Sequence, residues 1–225
     1  MNKIFFEDSK GHQLCGILSN SKIDKEKPMI ILCHGLHSNK DSYTNIRLEK
    51  ILNENEISTF RFDFFAHSES EGNFDDTSID EFVDNILGSI KYLKNLGYSK
   101  IGLCGASFGA VAAVIATSKI NNILLLALKS PGMGQTSRKM MQFKNDFNNK
   151  IWFTAGKKIY TPTLIIHGDA DKDVELQQGI KLSESIKNSR MEIIKGADHT
   201  YSNPKDFEEM IKLISKFIID ICKGH

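Results

Sequence analysis

Short apolar runs alternate with longer stretches in which apolar residues recur every three or four positions, and that alternation organises most of the chain. The runs at 29–33, 57–62, 100–104, 123–128, 163–166 and 191–194 predict strands buried on both faces. Strands of that kind belong to a mostly parallel sheet covered by helices on each side, an α/β architecture. Ahead of them, 3–7 and 13–18 flank Lys10-Gly11 and predict an amino-terminal hairpin. Ser78-x-x-Glu81 reads as a capping box that opens a helix with Phe82, Val83, Ile86, Leu87, Ile90 and Leu93 on one face. The same spacing at Phe207, Met210, Ile211, Ile214, Phe217, Ile218 and Ile221 predicts the last helix. No repeat, low-complexity tract or linker interrupts the pattern, so one domain is expected over 1–225.

Chemistry enters at Gly105-Ala106-Ser107-Phe108-Gly109, a G-x-S-x-G turn between the apolar run ending at Cys104 and the small-residue stretch Ala110-Val111-Ala112-Ala113. A serine hydroxyl is a weak nucleophile. It needs a sharp strand-to-helix turn to expose its oxygen, a base to take its proton and amide donors for the oxyanion. The two glycines leave room for neighbouring backbone around such a turn. Two later loops supply the remaining groups. After 163–166 come His167-Gly168-Asp169-Ala170-Asp171-Lys172-Asp173-Val174, with three candidate carboxylates, and after 191–194 come Gly196-Ala197-Asp198-His199, with one histidine. The order is Ser107, an aspartate, then His199, each just past an apolar run.

With Ile30-Ile31-Leu32-Cys33-His34-Gly35-Leu36 and Arg61-Phe62-Asp63-Phe64-Phe65-Ala66-His67-Ser68-Glu69-Ser70, these motifs make the chain resemble the α/β-hydrolase superfamily over nearly its whole length. The similarity is to its compact esterase and serine-aminopeptidase-like branch. Ala66 and Ser68 stand where that family's R-G-H-G-x-S pattern has glycines. The resemblance implies an α/β-hydrolase fold, with Ser107 as nucleophile and His199 as base. Its H-G-x-x-D-x-x-V spacing points to Asp171 as the acid, which leaves Asp169 as a turn residue and Asp173 as the cap of a helix starting near Val174. The implied oxyanion donors are the backbone amides of Leu36 and Phe108. The segment 131–160 falls where the family inserts a cap, here a short one. It carries Arg138, Lys139, Lys144, Lys150, Lys157 and Lys158 against Asp146, so it reads either as a solvated basic helix or as a substrate-selecting lid. As a lid, it would wall the site with Met140, Met141, Phe143 and Trp152.

Composition narrows the alternatives. With 225 residues and 40% hydrophobic content, the chain can bury a large core. Lys plus Arg number 29 against 28 Asp plus Glu, so no global field favours nucleic acid or an anionic membrane. No apolar stretch reaches the ~18 residues a membrane span needs, and a cytoplasmic location is the expectation. Cys15, Cys33, Cys104 and Cys222 form no C-x-x-C pair and read as reduced thiols. The histidines have no metal-ligand spacing and no G-x-G-x-x-G follows the first strand, so neither a metal nor a cofactor is expected. His34 reads as a brace for its own loop, and His67 as a residue that lines the pocket. The sequence therefore points to a cofactor-independent serine hydrolase acting on carboxylic esters with small acyl or aryl-acyl groups. Thioesterase, small-peptide aminopeptidase and acylglycerol lipase are alternatives on the same triad. A non-catalytic binding module on a hydrolase frame is the alternative of another class. Neither the physiological substrate nor the oligomeric state follows from these residues.

Overall fold

The computed structural model describes residues 2–19, 24–134 and 150–224. The strands are β1 (Asn2–Glu7), β2 (Gln13–Ser19), β3 (Met29–Cys33), β4 (Ser58–Phe62), β5 (Ile101–Ala106), β6 (Ile123–Lys129), β7 (Thr163–Gly168) and β8 (Ser189–Ile194). They form one sheet in the order β1-β2-β4-β3-β5-β6-β7-β8. β1 and β2 pair antiparallel, β2 meets β4 antiparallel, and the remaining neighbours are parallel. The central strands β3 and β4 are buried at every position, which is why they read as continuous apolar runs rather than as alternation.

Helices cover both faces. On one side lie α1 (Tyr43–Glu54) and α6 (Pro204–Lys223); on the other lie α2 (Ile79–Asn95), α3 (Ser107–Lys119), α4 (Lys150–Gly156) and α5 (Leu176–Ser185). Ser78 caps α2 by accepting from the Glu81 amide at 3.0 Å. The reciprocal half of the capping box is absent, because the Glu81 carboxylate turns to Lys10 and His12 of the amino-terminal hairpin. On α6, Phe207, Met210, Ile211, Ile214 and Ile218 form the buried stripe that their spacing predicts. α3 is apolar almost all round and nearly wholly buried, as a helix held between a sheet and other helices must be.

One expectation about a segment end changes, and one helix was not expected. α5 starts at Leu176 with Glu175 at its cap position, so Asp173 is not the helix cap. The Asp173 amide instead donates to Asp171 at 3.0 Å, which makes it part of the turn holding that carboxylate. α1 has no counterpart in the apolar pattern. Its buried positions include Asn45 and Glu49, whose polar side chains break the apolar stripe.

The connection after β3 leads to β4 on one side, whereas that after β5 leads to β6 on the other. Adjacent strands whose chains diverge in this way leave a crevice at their carboxyl ends. The loop at His34-Gly35-Leu36 and the turn at Ser107 flank that crevice.

Candidate active site

Ser107 sits between β5 and α3 with φ of 51°. That left-handed conformation costs a non-glycine residue ~1–2 kcal/mol and is held by the packing around it. Gly109 shows how tight the packing is. A Cβ on it would lie 2.1 Å from the His34 carbonyl oxygen, so only glycine lets α3 approach the β3 loop this closely. Gly35 in turn faces Ser107, its own missing Cβ falling 3.5 Å from Ser107 Cβ.

The Ser107 hydroxyl meets His199 Nε2 at 3.0 Å, and His199 Nδ1 meets Asp171 Oδ2 at 2.7 Å. The Asp171 side chain is fully buried, while His199 remains partly open to the cleft. Burial by itself would raise the Asp171 pKa. Hydrogen bonds from His167, His199 and the Val174 amide outweigh it and hold the carboxyl well below the usual carboxylate range. Asp171 Oδ1 accepts from the amides of Asp173 and Val174 at 3.0 and 2.8 Å, which leaves Oδ2 facing the imidazole of His199.

Further contacts fix the two loops against each other. Asp169 Oδ1 accepts from the Gly196 amide at 2.5 Å, and the Ala170 amide donates to Ala197 O at 3.1 Å. Asp169 therefore ties the aspartate loop to the histidine loop. His167 lies behind Asp171, its Nε2 3.0 Å from the Val174 carbonyl and 3.3 Å from Asp171 Oδ2. The stretch His167-Gly168-Asp169 signalled a strand end in the sequence, but nothing there indicated a second imidazole on the same carboxylate.

The opposite wall is the loop after β3. His34 accepts the Phe64 amide on Nε2 at 3.1 Å, which leaves its Nδ1–H to donate to the Gly35 carbonyl at 2.7 Å. Burial pushes its pKa down to about 3, so the ring stays neutral as a brace. His67 is buried and braces the same loop through the carbonyls of Leu36 and Phe65. Among the described residues it does not line the cleft, contrary to the sequence expectation. Ala66 and Ser68 adopt φ of 62° and 48°, so the loop that carries His67 takes the left-handed path that glycines would make easy. Leu36 lines the cleft, and its amide has no acceptor among the described residues. Phe108 stands in the first turn of α3, where amides have no partner within the helix.

As bounded by the described residues, the cleft holds about 570 Å³ and is lined by Ser107, His199, Leu36, Lys129 and Val174 among others. Met140, Met141 and Phe143 lie outside the described residues. Trp152 does not line the cleft; it is buried on α4, stacked on Phe153 at 4.3 Å and packed into the core beside α3. Its apolar bulk fills the helical layer instead of walling the substrate. No helix among the described residues is long and apolar enough to cross a membrane.

Comparison with known proteins agrees with this architecture. Est1E from Butyrivibrio proteoclasticus, solved with ferulic acid bound, superposes with a TM-score of 0.82 at 20% identity, covering 96% of this chain and 98% of that one. The esterase Pf2001 from Pyrococcus furiosus gives 0.81 at 20% identity, over 96% of this chain and 91% of the other. A 43-residue stretch is 51% identical to a Synechocystis protein named "Putative non-heme chloroperoxidase", covering 19% of this chain and only 16% of that protein. Residues 26–220 match the alpha/beta hydrolase domain family, and the chain belongs to the α/β-hydrolase superfamily.

Proposed function

We propose that this protein is a serine hydrolase that cleaves carboxylic esters of small acyl or aryl-acyl groups. The observation that carries the reading is the unbroken relay Ser107 Oγ, His199 Nε2, His199 Nδ1 and Asp171 Oδ2, at 3.0 and 2.7 Å, opening into a cleft. In this mechanism Ser107 Oγ attacks the ester carbonyl carbon while His199 Nε2 takes its proton. The proton then passes to the departing alkoxide, leaving an acyl-serine and a free alcohol. Water, deprotonated by the same nitrogen, attacks the acyl-serine and releases the acid, and the proton returns to Ser107. Asp171 accepts from His199 Nδ1–H throughout, which fixes the tautomer and stabilises the imidazolium. The amides of Leu36 and Phe108 are the proposed donors to the tetrahedral oxyanion, the second reinforced by the amino end of α3.

Support for an ester rather than another acyl substrate comes from the structural neighbours named as esterases, one of them holding an aryl acid. The fold alone does not choose among acyl substrates. The test is turnover of p-nitrophenyl acetate together with labelling by a fluorophosphonate probe. Wild type should react with both. Ser107→Ala should lose labelling and lower turnover by roughly 10⁶-fold while keeping its circular dichroism spectrum. Ordinary turnover by a folded Ser107→Ala protein would overturn the assignment.

A further inference from the structure

One cation in the cleft has no part in the proposed relay. Lys129 closes β6 and pairs in register with Ala106, the residue before the nucleophile, so their backbones are one strand spacing apart, ~4.8 Å. Lys129 lines the cleft together with Ser107 and His199. The ammonium lies 5.1 Å from the ring centroid of Tyr201, and no described carboxylate is within ion-pair distance of it. The nearest carboxylates, Asp171 and Asp198, favour its charge through space but make their hydrogen bonds to other groups, Asp171 to His199 and two amides and Asp198 to Thr200 and Ser202. At the rim, Lys172 and Asp173 offset each other in charge, which leaves Lys129 as the cation deeper in the site that makes no direct ion pair with a described carboxylate. A partly dehydrated ammonium without a direct carboxylate contact is unfavourable, and such groups concentrate where a ligand supplies that contact.

We infer that Lys129 receives an anionic function on the substrate, so that the ester cleaved at Ser107 carries a carboxylate on its acyl or alcohol part. This inference rests on the ester-hydrolase reading and names its substrate class. Because Lys129 is in register with the residue before the nucleophile, the substrate class tested first is the half-ester of a short dicarboxylic acid. The ring of Tyr201 supports the ammonium from one side without neutralising it.

The experiment compares monomethyl succinate with dimethyl succinate, near-equal in size, by kcat/KM at about neutral pH in wild type, Lys129→Met and Lys129→Arg, where Lys129 carries its charge. Wild type should favour the half-ester. Lys129→Met should reduce the half-ester to diester ratio about tenfold or more, mostly through KM, and Lys129→Arg should retain most of the preference. The same ratio in wild type and Lys129→Met would overturn the inference. Should Lys129→Met fail to fold, protection of wild type from fluorophosphonate labelling decides instead. Succinate should protect better than succinamide at equal concentration, and equal protection would overturn the inference. Failure of the wider reading looks different: wild type would cleave neither ester and Ser107 would not label.

Discussion

The protein places two lysines at the carboxyl ends of neighbouring parts of its sheet and treats them in opposite ways. Lys40 is 1% exposed, and its ammonium sits 2.7 Å from Asp63 and 2.6 Å from Glu69. Its own amide donates to Asp63 as well, at 2.7 Å. Burial would lower its pKa, but these two carboxylates outweigh that and drive it above the ordinary lysine range. Lys129 has an aromatic face and no direct ion pair with a described carboxylate, and burial outweighs the more distant Asp171 and Asp198 and pulls it down to about 8. The difference separates scaffold from site. Around Lys40, with Arg61, Asp41 and Glu49 continuing the network, every charge is answered within the chain and a single loop geometry is fixed. Around Lys129 the ammonium makes no direct ion pair with a described carboxylate, which favours a ligand at the expense of stability.

Among the charged residues, the largest effect should come from the carboxylate assigned to the proposed chemistry. Asp171→Asn keeps the shape but donates where the native oxygen accepts, which favours the wrong tautomer of His199, and kcat for an activated ester should fall on the order of 10⁴-fold. Asp173→Asn should cost far less, because that residue's contact with the acid is made by its backbone amide. Equal losses in the two variants, measured at matched secondary structure, would mean that the loop is being disrupted and that Asp171 has no special role.

Lys40→Met gives the next effect, and here stability is the readout. It leaves Asp63 buried and charged without its cation, which destabilises by ~3–5 kcal/mol and should lower Tm by roughly 6–20 °C in a chain of this size. Residual folded protein at low temperature should still label with fluorophosphonate. A Tm within a degree or two of wild type would show that the Lys40 network is not the structural half of the comparison.

The same contrast explains what the sequence disclosed. Ser107, Asp171 and His199 were legible because each follows an apolar run and lies in a turn whose residue types are restricted by packing and hydrogen bonding. Strand positions were equally legible, differing from the apolar runs by one or two residues at their ends, since burial on both faces leaves a continuous signature. The exception to that burial is the edge strand β8, which the sequence led one to expect buried but where only Ile194 is. α1 was not, because Asn45 and Glu49 point inward to polar partners, Glu49 to Arg61 and Thr59. The role of His67 was hidden too, since its contacts are to backbone carbonyls 31 residues away and two residues away, and pattern registers neither. Lys129 reads in the sequence only as the polar end of a strand, Ile123-Leu124-Leu125-Leu126-Ala127-Leu128-Lys129. Which pocket it enters is decided by the strand order, and that is a property of the fold.

The smallest expected effect is also the most discriminating, because its sign is opposite to that of Lys40. The folded-state pKa of Lys129 is lowered from 10.5 to about 8, so below about 8 the folded protein must hold a charge that the unfolded chain solvates better. That penalty is fully present below pH about 8. It shrinks as pH rises toward 10.5, where the unfolded chain also loses the proton. Absolute stability will not show this cleanly: burial holds Tyr201 above its ordinary range and pushes Cys104 and Cys222 up to about 12, and these groups destabilise the fold as pH rises through the range where their unfolded forms ionise. The difference between wild type and Lys129→Met cancels most of that. Urea unfolding at several pH values should therefore find Lys129→Met the more stable near neutrality, with the gap beginning to close above pH about 8 and closing as pH approaches 10.5. Succinate should close the gap from the other side, stabilising wild type near neutrality and leaving Lys129→Met unchanged, because a ligand stabilises only the state it binds. If Lys129→Met is instead the less stable protein at every pH, the stacking on Tyr201 is structural and Lys129 belongs with Lys40.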